Sequence, residues 1–178
     1  MVAEARLNRT ETGFVPEGDG WFVVNAREAR WYEHDEFGRW TRFESDAARF
    51  RELGINVSIL APGKASCMYH REENQEDFLV LAGDCLLLVE GEERQLKAWD
   101  FVHCPAWTEH VFVGGSTPCL IVAMGTRAGE GLHYPANEVA QRYGASVLEA
   151  TDSGEEAYAR FGPPREIAYR DGDLPDIP

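Results

Sequence analysis

Short apolar runs separated by polar turn residues make up most of the chain between residues 21 and 125. Several runs alternate apolar and polar positions, as strands with one buried face do. Pro62-Gly63, Gly83-Asp84 and Glu90-Gly91 favour tight turns between them. Many short strands at regular spacing are typical of a sandwich or barrel. The pattern predicts strands at residues 21–24, 29–32, 40–43, 55–60, 77–82, 85–89, 93–96, 101–104, 110–113 and 119–124.

The residues before and within this region add two further predictions. Residues 1–20 are polar and rich in glycine and proline, which predicts a loose N-terminal arm. Residues 45–53 carry good helix formers without strand alternation and predict one short helical insertion.

The pattern changes to helical after Gly125. Pro135 in a first turn and Gly144 after the last turn predict a helix over residues 135–143. A capping box at residues 153–156 begins a second helix that ends near residue 160, and the acidic tail, residues 171–178, is expected to be extended or frayed. The predicted organisation is therefore an arm (1–20), a barrel (21–125) and a C-terminal helical extension with a tail (126–178).

Composition limits the classes of partner. The 178 residues are 44% hydrophobic, enough for one ordinary core, and carry 31 acidic against 17 basic residues, a net charge of −14. Nucleic acids and anionic membranes need a basic surface, so both are disfavoured and a small molecule is the expected partner. No apolar stretch approaches the ~18 residues of a membrane span. The N-terminus has no apolar signal core, which predicts a cytoplasmic protein.

The four cysteines show no metal-binding or disulfide pattern. They are Cys67, Cys85, Cys104 and Cys119, none in a C-x-x-C pair. In a cytoplasmic chain they are expected to be reduced, semi-buried small hydrophobes.

Candidate chemistry concentrates at the ends of three predicted strands. His70 begins a polar turn, Glu76 opens the next apolar run, and His110 follows Pro105 by five residues. Two histidines and one carboxylate form a facial set that binds a divalent metal and leaves positions open for substrate and oxygen. Strand parity predicts a face of His70, Glu72, Glu76 and His110 over an apolar floor of Met68, Phe78, Val80 and Phe112. His34 is expected at the surface, and His103 as a structural residue beside the site.

The order and spacing of these residues resemble the two motifs of the cupin superfamily over roughly residues 55–125. The matching positions are Gly63, His70, Glu76, Gly83, Pro105 and His110. The chain departs from the motifs at Glu72, where a second histidine is usual, at Trp99 and Trp107, where glycines are usual, and at Gly114, where asparagine is usual. The resemblance implies an all-β fold, the cupin double-stranded β-helix or jelly-roll barrel, with the short C-terminal helices added.

The resemblance also implies a metal site formed by His70, Glu76 and His110. Glu72 is then either a fourth ligand or a nearby catalytic base outside the triad. The set is similar to that of 3-hydroxyanthranilate dioxygenases, with Tyr69-His70, Glu76 and a Pro105-to-His110 spacing. No arginine pair for an anthranilate carboxylate is recognisable, so that substrate does not carry over. Fe(II) or Mn(II) is the favoured cofactor, with Ni(II) or Zn(II) as other candidates.

Three functional hypotheses follow from the resemblance. The first is a metal-binding cupin, dioxygenase-like, that acts on a small organic acid or phenol. The second is a non-catalytic, ligand-binding or regulatory cupin, and the third is a storage or scaffold dimer without a metal. The fold alone does not choose among them.

The expected sheet edges predict a homodimer, because open edges need covering. Residues 21–43 are rich in tryptophan and phenylalanine and are expected to supply a partner strand. The alternative is that this segment packs on its own barrel.

Overall fold

A computed structural model describes residues 1–176, which form fourteen strands and two short helices. The strands are β1 (Arg6–Thr10), β2 (Gly13–Glu17), β3 (Trp31–His34), β4 (Gly38–Arg42), β5 (Leu53–Leu60), β6 (Arg71–Glu72), β7 (Glu76–Ala82), β8 (Asp84–Val89), β9 (Glu92–Lys97), β10 (Phe101–Cys104), β11 (His110–Gly114), β12 (Cys119–Thr126), β13 (Leu132–His133) and β14 (Arg165–Ile167). The helices are α1 (Glu138–Gln141) and α2 (Gly154–Tyr158).

Two antiparallel sheets form the body of the molecule. The large sheet has seven strands in the order β10-β7-β12-β5-β4-β3-β14, and the small sheet has three in the order β11-β8-β9. Two further pairs, β1 with β2 and β13 with β6, lie outside them. The predicted fold class is confirmed as an all-β jelly-roll barrel with short C-terminal helices.

The main core lies between the two sheets. Phe78 and Val80 of the large sheet meet Leu87 and Phe112 of the small sheet in one buried cluster. Each such side chain contributes roughly 1.5–3 kcal/mol when fully buried.

The opposite face of the small sheet is buried as well. Leu86, Leu88 and Val111 pack under Tyr134 and Ala157 of the C-terminal extension. The sequence of strand β8 is therefore a continuous apolar run after Asp84, because both faces of the strand are covered.

The C-terminal end of the chain covers the outer face of the large sheet. Trp31, Ile59 and Leu120 are buried there, with Ile167 and Tyr169 packed against them. The return of β14 to the edge of β3 brings this segment into place.

Gly83, Trp99 and Trp107 lie in tight turns and have backbone φ angles in the left-handed region. Gly83, between β7 and β8, has φ +74°, and a Cβ there would lie 2.1 Å from the carbonyl oxygen of Pro118. Trp99 (φ +74°) and Trp107 (φ +69°) are the third residues of turns closed by Asp100 N–H to Lys97 O and Thr108 N–H to Pro105 O. The motif positions where glycine is usual are thus left-handed here too, although tryptophan occupies them.

The N-terminal arm is more ordered than the sequence predicts. Strands β1 and β2 form a hairpin, whose turn is closed by the hydroxyl of Thr10 donating to the carbonyl of Gly13 at 2.7 Å. The strand predicted at residues 21–24 is wrong: Trp21 bridges only Glu4, and the rest of the segment pairs with no sheet. Strand propensity alone does not form a strand without a free edge beside it.

The helix predicted at residues 45–53 is also wrong. The Glu44 carboxylate accepts the Phe50 N–H at 3.0 Å, and Arg127 donates to the Phe50 carbonyl at 2.6 Å. Side chains therefore satisfy backbone groups that a helix would have paired internally.

The two C-terminal helices lie where predicted, although α1 is shorter than residues 135–143. Asn137 caps α1 and Ser153 caps α2, each accepting backbone N–H groups of the first turn. Within the described residues neither helix has the length and hydropathy that crossing a bilayer requires.

The acidic tail is docked as far as Asp176 rather than frayed. Asp173 pairs with Arg39, and the Leu174 N–H donates to the hydroxyl of Tyr169 at 3.2 Å. Residues 177–178 lie outside the described part of the chain.

Candidate metal centre

Two neighbouring backbone segments bring the candidate histidines together. His70 and His110 face each other in an antiparallel bridge, with N–H to O distances of 3.2 Å and 2.9 Å. Glu76 begins β7 on the opposite sheet. One ligand atom from each of the three side chains lies within 4.8 Å of the other two.

The hydrogen bonds of the two imidazoles fix their orientation. Nδ1 of His70 lies 2.9 Å from the carbonyl oxygen of Met68, and Nδ1 of His110 lies 3.0 Å from that of Thr108. A carbonyl only accepts, so each Nδ1 carries the proton. In the neutral rings each Nε2 then presents a lone pair to the centre, the form that binds a metal.

The carboxylate of Glu76 is the third member of the ligand group, and one of its two oxygens is left without a hydrogen bond. Its Oε2 lies 3.3 Å from Nε2 of His110 and 3.8 Å from Nε2 of His70. That oxygen is buried and has no hydrogen-bond partner in the described part of the chain. Three converging lone-pair donors, one of them a buried orphaned oxygen, fit a divalent cation.

Glu76 is held in its charged form. Burial acts to raise the pKa of Glu76, but positive charge beside it, from His110 and His70 in their protonated forms, outweighs burial and holds that pKa below its ordinary value. A carboxylate that stays ionised is ready to bind a cation.

Glu72 lies near the centre but does not belong to the group of converging ligand atoms. It is on β6, which pairs with β13. Burial, together with repulsion from Glu76, raises the pKa of Glu72 above its ordinary value. Its assignment as a fourth ligand or base stays a prediction.

A cavity of about 720 Å³ opens onto His70, Glu76 and His110. Phe78 and Phe112 line it, as the predicted floor requires. The other two residues of that predicted floor pack elsewhere. Met68 belongs to the cluster under the C-terminal extension and Val80 to the core between the sheets.

Residues 56–125 match a family model described as "Cupin domain". Solved structures agree with this assignment at the level of the fold. A Cupin 2 conserved barrel domain protein from Salinispora arenicola is 20% identical, with a TM-score of 0.50 over 61% of this chain and 89% of that one. The polyketide cyclase RemF from Streptomyces resistomycificus is 14% identical, with a TM-score of 0.56 over 79% of this chain and 94% of that one.

Residues 56–125 form a cupin domain. One relative, gentisate 1,2 dioxygenase 1 from Aquipseudomonas alcaligenes, is 25% identical over 115 residues, which are 62% of this chain and 31% of that protein. The chain thus matches about a third of the length of this relative. The candidate centre lies inside the matched region, so it is part of the cupin domain.

Some residues that line the cavity of the cupin domain were not predicted. His34, expected at the surface, lies at the mouth beside Tyr158 and Phe161 of the C-terminal extension. Asn56 and Ser58 of β5 also line the cavity. Their alternation with Leu60 on one strand face was a signal in the sequence, but the mouth depends on how the C-terminal extension docks.

Two residues flanking the motifs lie outside the donor set. His103 is exposed on β10, where its Nδ1 lies 2.6 Å from Oδ1 of Asp77. Cys67 lines the cavity, with Sγ 3.7 Å from Nδ1 of His70. Burial raises the pKa of the Cys67 thiol to about 11, which keeps it protonated at neutral pH.

Proposed function

We propose that the chain is a metal-dependent enzyme that holds Fe(II) or Mn(II) through His70, Glu76 and His110. Its reaction is dioxygenase-like and acts on a small organic acid or phenol bound in the cavity. The observation that carries the proposal is the convergence of two Nε2 lone pairs with the buried, unbonded Oε2 of Glu76.

Each residue of the triad has a distinct part. The backbone carbonyls of Met68 and Thr108 hold the two rings in one tautomer, so both Nε2 atoms are available without rearrangement. Glu76 supplies the negative charge. A bound first-row metal with three protein ligands would supply open positions for substrate and oxygen.

The cavity supplies the substrate side of the proposal. Phe78 packs against His110 with ring centroids 5.3 Å apart, so an apolar wall reaches the donor atoms. Such a wall excludes bulk water from the reacting centre and strengthens electrostatic interactions there. The match to a gentisate 1,2 dioxygenase supports oxygen-dependent chemistry as the reaction class.

Metal content tests the proposal directly. Wild-type protein, purified without chelator and offered Fe(II), Mn(II), Ni(II) and Zn(II) separately, is expected to retain about one ion per chain by elemental analysis. His110→Ala is expected to lose most of it, since it removes a buried ligand. His103→Ala is the matched control and is expected to retain the metal, because His103 pairs with Asp77 outside the centre. A wild type that retains none of the four ions contradicts the proposal.

Oxygen uptake separates the enzyme from a non-catalytic ligand-binding cupin. The Fe(II)- or Mn(II)-loaded protein is expected to consume oxygen with at least one member of a panel of phenols, aminophenols and small organic acids. Metal retention with ligand binding but no turnover of any panel member would favour the non-catalytic alternative.

A further inference from the structure

The cavity beside the metal centre carries no fixed positive charge. None of its lining residues in the described range 1–176 is a lysine or an arginine, while Glu76 and Glu155 both line it. A carboxylate or phosphate placed against these walls, away from the metal, would leave water without a cationic side chain to receive it, which is costly in a partly buried site. The walls therefore disfavour an anionic ligand.

One basic side chain of the neighbouring segment is engaged elsewhere. The guanidinium of Arg160 stacks on Phe161 at 4.7 Å from the ring centroid and donates to the carbonyl oxygen of Gly144 at 2.7 Å. It does not line the cavity.

The polar groups that do line the cavity include two neutral ones on β5. Neither the Asn56 amide nor the Ser58 hydroxyl makes a side-chain hydrogen bond within the part of the chain that the structure describes, and both line the cavity. Neutral donors and acceptors of this kind match hydroxyl and carbonyl groups of a ligand rather than charges.

The size and walls of the cavity favour a flat aromatic ligand of more than one ring. Its volume of about 720 Å³ falls in the ~300–1,000 Å³ range of sites that enclose drug-sized molecules. On one wall of the cavity, the ring of the buried Phe37 lies 5.4 Å from Tyr158 and 4.8 Å from Phe161 in edge-to-face contacts. Aromatic walls bind flat rings through offset stacking and edge contacts.

The mouth is held in place by the barrel. His34 donates from Nε2 to the carbonyl oxygen of Gly162 at 2.9 Å, while its Nδ1 accepts the N–H of Glu36 at 3.0 Å. Phe161 thus reaches the cavity on a segment that is fastened to the large sheet.

We propose that the ligand of this cavity is an uncharged, fused-ring aromatic molecule bearing hydroxyl or carbonyl groups. Asn56 and Ser58 bind its oxygens, and Phe37, Tyr158 and Phe161 contact its rings. The inference rests on the proposed function in taking this cavity as the substrate site, and it chooses the phenol over the organic acid.

Calorimetric titration with naphthol and with naphthoate tests the proposal, because the two share a ring system and differ by a neutral hydroxyl against a carboxylate. Naphthol is expected to bind about ten-fold more tightly than naphthoate to protein stripped of metal, in which no ion can receive the carboxylate. Naphthoate binding as tightly as naphthol to the stripped protein, or no naphthol binding at millimolar concentration, would overturn it.

Variants place the binding in this cavity. Phe161→Ala is expected to weaken naphthol binding several-fold. Phe101→Ala, the same change at an exposed position on β10, is expected to leave it unchanged. Equal affinities for the two variants would overturn the assignment to this cavity.

The two proposals fail separately. A protein that retains no metal but still prefers naphthol contradicts the proposed function and supports the ligand class. A protein that retains one metal per chain but prefers naphthoate once that metal is stripped overturns the ligand class alone.

Discussion

Trp99 keeps a left-handed backbone conformation although its side chain gains little from burial. The indole is 73% exposed, and φ is +74°. Bulky residues rarely adopt this region, and such strain costs on the order of 1–3 kcal/mol. Glycine adopts it freely.

Trp99→Gly is therefore expected to stabilise the protein by about 1 kcal/mol, once the greater entropy of glycine in the unfolded chain is subtracted. In a domain of this size the melting temperature would rise by roughly 2–4 °C. Trp21→Gly is the control, since Trp21 is also exposed but has no positive φ. It is expected to lower the melting temperature, and a loss of stability in Trp99→Gly would show that the exposed indole makes stabilising contacts.

Glu72 is expected to tune the metal rather than hold the fold. In Glu72→Gln the repulsion with Glu76 and the burial of a charge are both removed, so the metal-free protein should melt within a few degrees of wild type or slightly above it. Loss of a carboxylate near the centre should weaken metal affinity roughly ten-fold, the low end for outer-sphere groups. Competitive metal titration measures the affinity, with exposed Glu130→Gln as the control. A metal affinity of Glu72→Gln equal to that of wild type would show that His70, Glu76 and His110 form the site without Glu72.

At the residue scale, the sequence predicted which side chains converge better than it predicted the cavity around them. His70, Glu76 and His110 were identified because each falls at a predicted strand end in the order and spacing of the two cupin motifs, and their ligand atoms do converge. The roles of His34 and Phe161 were not, because they depend on a contact between residues 34 and 162 that local patterns do not encode.

At the scale of elements, Asp84 ties the start of β8 to the loop before β12. Its carboxylate accepts the Ser116 N–H at 2.8 Å and the hydroxyls of Ser116 and Thr117 at 3.0 Å and 2.9 Å. These hydrogen bonds, led by the Ser116 N–H, hold the pKa of Asp84 below its ordinary value. A depressed acid pKa adds stability above the unfolded-state pKa, and this stability is lost as pH falls through the folded-state pKa.

Asp84→Asn is accordingly expected to melt a few degrees below wild type at neutral pH. The difference should shrink as pH falls through the acidic range where Asp84 itself becomes protonated. Thermal melts of both proteins across that range measure it, and Asp171→Asn, at an exposed tail position, should match wild type throughout. A difference in melting temperature that stays constant down to strongly acidic pH would mean that the shape of the Asp84 side chain, and not its charge, stabilises the loop.

The strands that could be predicted are those whose position follows from their own pattern of apolar and polar residues. Strand β5 and the strands from β7 to β12 lie within two residues of their predicted positions, whereas β6, in a polar turn, was not predicted. Strands β1 and β14 are mostly polar and β2 holds a proline, so these strands exist through pairing, as in the contact of Arg165 with Glu33. Such pairing is long-range and leaves little local signal.

At the scale of the molecule, part of the segment expected to supply a partner strand, residues 31–42, is already used within the chain. Strands β3 and β4 lie inside the large sheet, each paired on both sides by strands of the same chain. The edge strands of that sheet are β14 and β10, and on β10 Phe101 is 61% exposed next to the exposed Trp99. An unpaired edge with two exposed aromatic side chains is a surface that proteins usually cover.

The homodimer prediction therefore moves to β10, where a second copy can pair across a two-fold axis with the same edge. Light scattering at micromolar concentration is expected to give a mass twice the 20.0 kDa of one chain. Phe101→Lys should return the mass to that of one chain, because a charge on the edge opposes burial in the interface. Leu148→Lys, at another exposed apolar position, should leave the dimer intact. A wild type with the mass of a single chain would contradict the dimer, and a dimer unaffected by Phe101→Lys would place the interface elsewhere.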